Sequence, residues 1–211
     1  MNTKAAKQPV TNEDASKYCA GMEEIKRRVD VIRGLLGRTY TTGYSATDIE
    51  SVYLQFRKVL ELIALSSMLL NKEEYSKQHS KFASHWHANR ILSDLEKINP
   101  DFYPTPSRQV IEQTTGKVLK VEPITEGHLT KDDFANLYEM CGGILHASNP
   151  FKPPQDLARY QSEADSWLRK IMTLLGHHQA QLLDKDYQLW VIMQTQGTNQ
   201  VSAFTMQKVT Q

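Results

Sequence analysis

The stretch DIESVYLQFRKVLELIALSSMLL, residues 48–70, decides the fold of this chain. Its apolar residues recur every three or four positions up to Val59 and then merge into a nearly continuous run, which predicts a helix buried on most of its sides. Thr47 and Glu50 have the spacing of a capping box, and this places the start of the helix at Thr47. We therefore expect the segment to form the central helix of the core.

Four other segments show the same helical period, with apolar residues on one stripe and polar residues facing away. They are residues 13–36, 73–98, 133–147 and 155–183. Thr130, with Asp133 three positions later, has the position and chemistry of an N-cap for the third of these helices. Because each apolar stripe must be buried against another element, the pattern predicts an antiparallel bundle of four or five helices.

Two stretches near residues 108–121 and 187–209 are typical of small β-hairpins, each with a turn-rich centre. Residues 187–193 are apolar on both faces, so this hairpin needs cover: it packs on the bundle, joins the first hairpin, or pairs in a dimer. We favour the joining of the two hairpins. The predicted fold is therefore α+β and predominantly α, an antiparallel helical bundle with one or two small β-hairpins.

The composition sets limits on the class of protein. The chain has 211 residues, 25 Lys and Arg against 24 Asp and Glu, and a net charge of +1, which argues against a broad non-specific nucleic-acid surface. It has two cysteines, no apolar core of a signal peptide and no apolar run long enough to span a bilayer. We expect a cytoplasmic protein with no membrane partner, in which residues 1–12 form a flexible tail and residues 13–211 form one domain.

The common signatures of catalysis and cofactor binding are missing from the sequence, which contains no P-loop, GxGxxG or GxSxG motif. His85 and His87 are two positions apart and would point to opposite sides of a helix, so they could bind one metal ion only from a strand or loop, with a distant residue as a further ligand. A pairing of Cys141 with His146 is possible on paper, but Cys141 holds an apolar helical position typical of a core residue. We expect no cofactor and no bound metal.

One charged pair stands out on the central helix. Arg57 and Glu61 lie four positions apart and share a helix face. A charged pair on a mostly apolar helix is either a structural ion pair or the wall of a polar site, because burying it unpaired is costly. The neighbouring Lys58 adds a second cation that could contact phosphate, as could Arg57. With Tyr138 on the downstream helix, these residues are the candidate binding residues.

Residues 48–70 and the later stretch YEMCGGILHASNPF, residues 138–151, together resemble the HEPN superfamily of helical bundles. The resemblance implies an up-and-down bundle that is commonly dimeric, and active members are metal-independent ribonucleases with an Arg, four to six residues, and then a His. The matching His is His146. Met140 or Cys141 stands where the Arg is expected, so the motif is incomplete.

Two functions follow as hypotheses. The first is a non-catalytic HEPN-like interaction module, or one associated with a nucleotide or RNA, in a defence or stress system, with a homodimer or another protein as partner. The second is a metal-independent ribonuclease or nucleotide-processing enzyme. In that case Arg57 would bind phosphate and His146 would act as the acid or base, so these two are the candidate catalytic residues.

Overall fold

The computed structural model describes residues 10–78, 84–85, 87–147, 150–151 and 153–208. Within these ranges it contains six helices and five strands. In chain order they are α1 (Asn12–Leu36), α2 (Ser45–Leu70), α3 (Lys72–Gln78), α4 (Ala88–Ile98), β1 (Thr105–Ile111), β2 (Val118–Pro123), α5 (Lys131–Ile144), α6 (Leu157–Leu175), β3 (His177–Gln181), β4 (Tyr187–Ile192) and β5 (Ser202–Gln207).

Part of the predicted flexible tail, residues 1–9, lies outside the described residues. The remaining three residues of that tail belong to the fold. Val10 is buried in the core, and the Thr11 hydroxyl accepts a hydrogen bond from the amide of Asp14 to cap α1. Asp14 is itself buried and bonds to Lys72 at the start of α3.

The central helix is α2, as the sequence predicts. It contacts α1, α4, α5 and α6, and it buries Phe56, Val59 and Leu60 without detectable exposure. The helix begins at Ser45 instead of Thr47, because the predicted capping box does not form: the Thr47 hydroxyl donates to the carbonyl of Tyr44. The apolar period of α2 therefore predicts which of its residues are buried, whereas contacts with the preceding loop determine the residue at which the helix begins.

The predicted helical bundle with one or two small hairpins is wrong. The five strands form one curled antiparallel sheet, shaped like half a barrel, in the order β2-β1-β3-β4-β5. The helix predicted over residues 155–183 ends at Leu175, and His177–Gln181 forms strand β3 instead. This strand pairs with β1 on one side and with β4 on the other, so it joins the two predicted hairpins, although the sequence pattern predicts helix for its residues.

Strand β3 escaped prediction for a physical reason. Its sequence, HHQAQ, contains one apolar residue, Ala180, and two histidines whose burial depends on distant partners. His178 has no detectable exposure, and its ring is held between the carbonyl of Leu175 and the hydroxyl of Tyr18 on α1. The strand is therefore stabilised by tertiary contacts that local periodicity does not encode.

The sheet has two distinct faces, because side chains alternate along each strand. On the inner face, Ala180, Leu189 and Val191 are buried and belong to the same hydrophobic core as the helices. We call the opposite side of β3, β4 and β5 the outer face. It consists of the side chains of His177, Gln179, Gln181, Gln188, Trp190, Ile192, Ser202, Phe204 and Met206.

Candidate functional site

The structure brings together the four residues predicted to bind a ligand. Arg57 donates from Nε to Glu61 Oε1 at 3.1 Å and from Nη2 to the Tyr138 hydroxyl at 3.1 Å. Its guanidinium carbon lies 4.7 Å from the centre of the Tyr138 ring. Lys58 Nζ lies 3.4 Å from Glu61 Oε2. We call these four residues the Arg57 cluster.

Local sequence explains how α5 presents Tyr138 to the cluster. Thr130 and Asp133 form the predicted capping box, which fixes the first turn of α5. Tyr138 then falls on the face of α5 that packs on α2, and it is 4% exposed. Burial raises the pKa of Tyr138, with Arg57 opposing and Glu61 reinforcing that shift, so the phenol stays neutral and accepts from Arg57.

His146 does not join the Arg57 cluster. It is exposed just beyond the end of α5, and its side chain makes no hydrogen bond within the described part of the chain. Only its main-chain carbonyl is engaged, accepting from the Gln155 amide at 3.1 Å. Cys141 is buried, and burial raises the pKa of its thiol to about 12, so it is not a thiolate nucleophile at neutral pH.

The Arg57 cluster is largely satisfied by its own members. The carboxylate of Glu61, 13% exposed, contacts both Arg57 and Lys58. Among the described residues, Nη1 of Arg57 has no hydrogen-bond partner, which leaves one guanidinium nitrogen for an anion. The arrangement can therefore hold α2 against α5 and leaves room for an anionic group at Nη1. The ring of His87 lies beside it, with its centre 5.5 Å from that of Tyr138.

Two further histidines bond to hydroxyl groups. His85 Nδ1 bonds to the Tyr75 hydroxyl, and His177 Nδ1 bonds to the hydroxyl of Ser107 at 2.6 Å. Over the described ranges, no group of three or more His, Cys, Asp or Glu residues is placed to hold a metal ion.

The outer face of the sheet carries a second conspicuous set of side chains, which the sequence analysis did not assign to a site. Trp190 on β4 stands directly opposite Phe204 on β5 and Gln179 on β3. Phe204 is 51% exposed and Met206, two positions further along β5, is 44% exposed. None of the nine side chains that define the outer face is a formal charge carrier.

Trp190 is held in place by its neighbours on the same sheet. Its indole Nε1 donates to Gln188 Oε1 at 3.0 Å, and Gln188 in turn donates to Gln181 Oε1 at 3.1 Å. The ring meets His177 edge-on, with the ring centres 6.0 Å apart. Burial lowers the pKa of His177, so this neighbour is neutral at pH 7. The indole is therefore a fixed, half-buried ring on the sheet surface.

An open cavity of about 420 Å³ lies at one end of the outer face. Gln188, Trp190 and Met206 line it from the sheet, and Lys185 and Lys208 line it from the adjoining segments. Lys185 is engaged, because its ammonium donates to Asn99 and to Asp101. The cavity is thus walled by apolar and amide groups together with the charged residues Lys185, Asp186 and Lys208.

One signal in the sequence did point to this region. Residues 187–193 are apolar on both faces, which predicted a strand in need of cover. The pairing of Trp190 with Phe204 could not be predicted, because it depends on the register set by the connection between β4 and β5.

No protein-family model, curated protein or solved structure matches the chain. In the part of the chain that is described, no helix is both long and apolar enough to cross a membrane.

Proposed function

We propose that this chain is a non-catalytic interaction module whose partner protein binds the outer face of the sheet. The observation that carries the proposal is the cross-strand pair of Trp190 and Phe204. Trp190 is rigidly held and only half-buried, and Phe204 is 51% exposed, so both rings keep apolar area in water. Burying that area against a partner is favourable by roughly 25 cal/mol per Å².

The chemistry of the outer face favours a protein over a nucleic acid. Cores of protein interfaces are enriched in aromatic residues and Met and depleted in charged residues, and the face has this composition. A nucleic-acid surface instead gains its affinity from cations that contact phosphates. Here Lys185 is bound to Asp101, which leaves Lys208 as the one other cation among the residues that line the cavity at the end of the face.

The complementary partner surface is uncharged. It needs an apolar side chain to fit against the Trp190 and Phe204 rings, and a polar group to bond the amide of Gln179. Such a surface excludes water from the centre of the contact while leaving charged residues at the rim.

The non-catalytic part of the proposal is supported by the Arg57 cluster. Two donor groups of Arg57 are committed to Glu61 and Tyr138, and His146 lies outside the cluster. Cleavage of RNA needs both a cation at the phosphate and a group that moves the proton of the 2′-hydroxyl. We expect purified protein to leave RNA intact, and Arg57→Ala or His146→Ala to change nothing in that assay.

A HEPN-like relation is kept as a proposal for α2 and α5 only. Its support is that the two helices pack on each other and bring Arg57 to Tyr138. A nucleotide or RNA ligand is the alternative to a protein partner, and it is favoured by the open Nη1 of Arg57. A defence or stress role, and the cytoplasmic compartment, belong to the same set of proposals.

Site-specific photo-crosslinking in cells tests the proposal. A benzoylphenylalanine placed at Phe204 should give one discrete adduct with a protein other than a second copy of this chain, because position 204 lies within the contact. The same group placed at Tyr44, the 64% exposed residue that precedes α2, serves as the matched control and should give no such adduct. Trp190→Ala should abolish the adduct at position 204.

Three outcomes contradict the proposal. They are the absence of any adduct at position 204, equal adducts at positions 204 and 44, and an adduct that disappears on nuclease treatment. The last result would indicate that the outer face binds RNA and not a protein. After identification, the purified partner should bind the Trp190→Ala variant at least about tenfold more weakly than the wild type.

A further inference from the structure

The two edges of the sheet differ in how they are protected. Natural edge strands avoid unwanted pairing through charges, prolines and bulges. Strand β2 has all three: Lys120 and Glu122, Pro123 at its end, and a register shift opposite Val110 and Ile111. Strand β5, with the sequence SAFTMQ, has no charge and no proline, and it pairs evenly with β4 over all six residues.

The backbone of β5 leaves a defined set of groups open at this edge. The amide of Lys208 donates to the carbonyl of Asp186, which fixes the alternation of the ladder between β4 and β5. Ser202, Phe204 and Met206 therefore direct their backbone groups toward β4. Ala203, Thr205 and Gln207 direct theirs away from the sheet.

The open stretch has a natural limit at its N-terminal end. The amide of Val201, which points the same way as that of Ala203, is already bonded to the carboxylate of Glu23 on α1 at 2.6 Å. Among the residues that the structure describes, β5 thus has no backbone partner on this side over residues 203–207. It holds the alternating donors and acceptors that one further antiparallel strand requires.

We propose that β5 pairs with β5 of a second copy of this chain, antiparallel and about a two-fold axis at Thr205. In this register Thr205 stands opposite Thr205 of the second copy, and Ala203 stands opposite Gln207 of the second copy. All three open residues of each strand then exchange hydrogen bonds. The two sheets become one continuous sheet of ten strands.

Side chains favour a second copy as the occupant. The same register places Phe204 opposite Met206 of the second copy on the outer face. The two-fold axis repeats this pair, so each exposed side chain packs against one from the other copy. A thioether against an aromatic ring is a favourable contact. Because β5 carries no charge, no residue of the strand meets its own like charge across the axis.

The expected dimer is weak, because two short strands bury less area than a standard protein interface. We expect a dissociation constant of roughly 10 to 100 µM, within the range where monomer and dimer exchange on dilution. This inference does not depend on the partner of the outer face: Trp190→Ala should leave the dimer in place, since Trp190 lies on β4.

A charge swap at the axis tests the inference. Sedimentation equilibrium of the full chain over about 5 to 500 µM should show a monomer of 24.1 kDa and a species of twice that mass. Thr205→Lys and Thr205→Asp each put like charges opposite one another, and each should weaken dimerisation roughly five- to tenfold. An equimolar mixture of the two variants should recover the wild-type affinity or exceed it.

Thr114→Lys, in the exposed turn between β1 and β2, is the matched control and should dimerise like the wild type. A wild type that stays monomeric at every concentration would overturn the inference. So would a dimer that Thr205→Lys does not weaken, or a mixture that fails to recover. Equal urea midpoints for the monomeric variants and the wild type at low concentration would show that the fold is kept, and recovery in the mixture requires folded chains.

Discussion

Neighbouring residues on β4 lie in opposite environments. Leu189 and Val191 face inward and show no detectable exposure, whereas Trp190 and Ile192 face outward and stay partly accessible. The inner face is covered by the chain's own helices and shares their core. The outer face keeps two large aromatic rings in contact with water. A strand that is apolar on both faces is fully buried only if both faces are packed against other groups. The described chain packs its helices against the inner face and leaves the outer face exposed.

The two histidines of β3 show the same contrast. His178 points inward; its Nδ1 donates to the carbonyl of Leu175, so its Nε2 accepts from the hydroxyl of Tyr18. His177 points outward and supports Trp190. Inward groups on this sheet therefore stabilise the fold, and outward groups shape the surface proposed to bind a partner.

The largest effect expected on the inner face is acid destabilisation. Burial lowers the pKa of His178 to about 4, from an ordinary value of about 6.5 in the unfolded chain. As the pH falls below 6.5 the unfolded chain takes up the proton first, so stability is lost between pH 6.5 and 4. The full shift corresponds to about 3 kcal/mol of unfolding free energy.

Urea unfolding of the wild type between pH 7.5 and 4.5 measures this loss. A His178→Gln variant should show a flatter dependence, while His146→Gln, at an exposed position, should follow the wild type. If the His178→Gln variant does not fold, NMR of the wild-type ring serves instead: a His178 signal that titrates near pH 6.5 would contradict the account.

The next effect concerns the partner of that ring. Tyr18→Phe removes the hydroxyl that His178 Nε2 accepts from and leaves a buried acceptor unpaired. We expect a loss of about 2 kcal/mol in unfolding free energy at pH 7. Tyr44→Phe removes a hydroxyl at a 64% exposed position and should change stability by less than about 0.5 kcal/mol. Equal effects at the two positions would show that His178 is not held as described.

The smallest effect is expected on the outer face. Phe204→Ser should change the unfolding free energy by less than about 0.5 kcal/mol, because the ring has little to pack against within one chain. Phe134→Ser, at a fully buried ring, is the matched control and should cost at least about 3 kcal/mol. A cost at position 204 that approaches the control would mean that the outer face is already covered.

The sequence was sufficient where local pattern decides the structure. The apolar period of residues 48–70 predicted the buried α2, and the spacing of Thr130 and Asp133 predicted the cap of α5. The spacing of Arg57 and Glu61 predicted their contact, since four positions on a helix bring two long side chains together.

The sequence was insufficient to predict contacts between residues that are far apart in the chain. The contact of Arg57 with Tyr138 spans two helices, and the burial of His178 depends on Tyr18 on α1. Strand β3 was predicted as helix because its histidines gave no strand period. The outer face forms only when β3, β4 and β5 pair in the correct order and register, and no local sequence motif predicts that pairing.

The most direct test of the account compares Leu189→Ala with Trp190→Ala, two substitutions at adjacent positions of β4. The unfolding free energy of each variant is measured by urea titration at pH 7. We expect Leu189→Ala to lose about 3 kcal/mol and Trp190→Ala to lose roughly 1 to 1.5 kcal/mol while abolishing the crosslinked adduct at position 204. A Trp190→Ala variant that loses as much stability as Leu189→Ala, or that keeps the adduct, would contradict the claim that the outer face serves a partner.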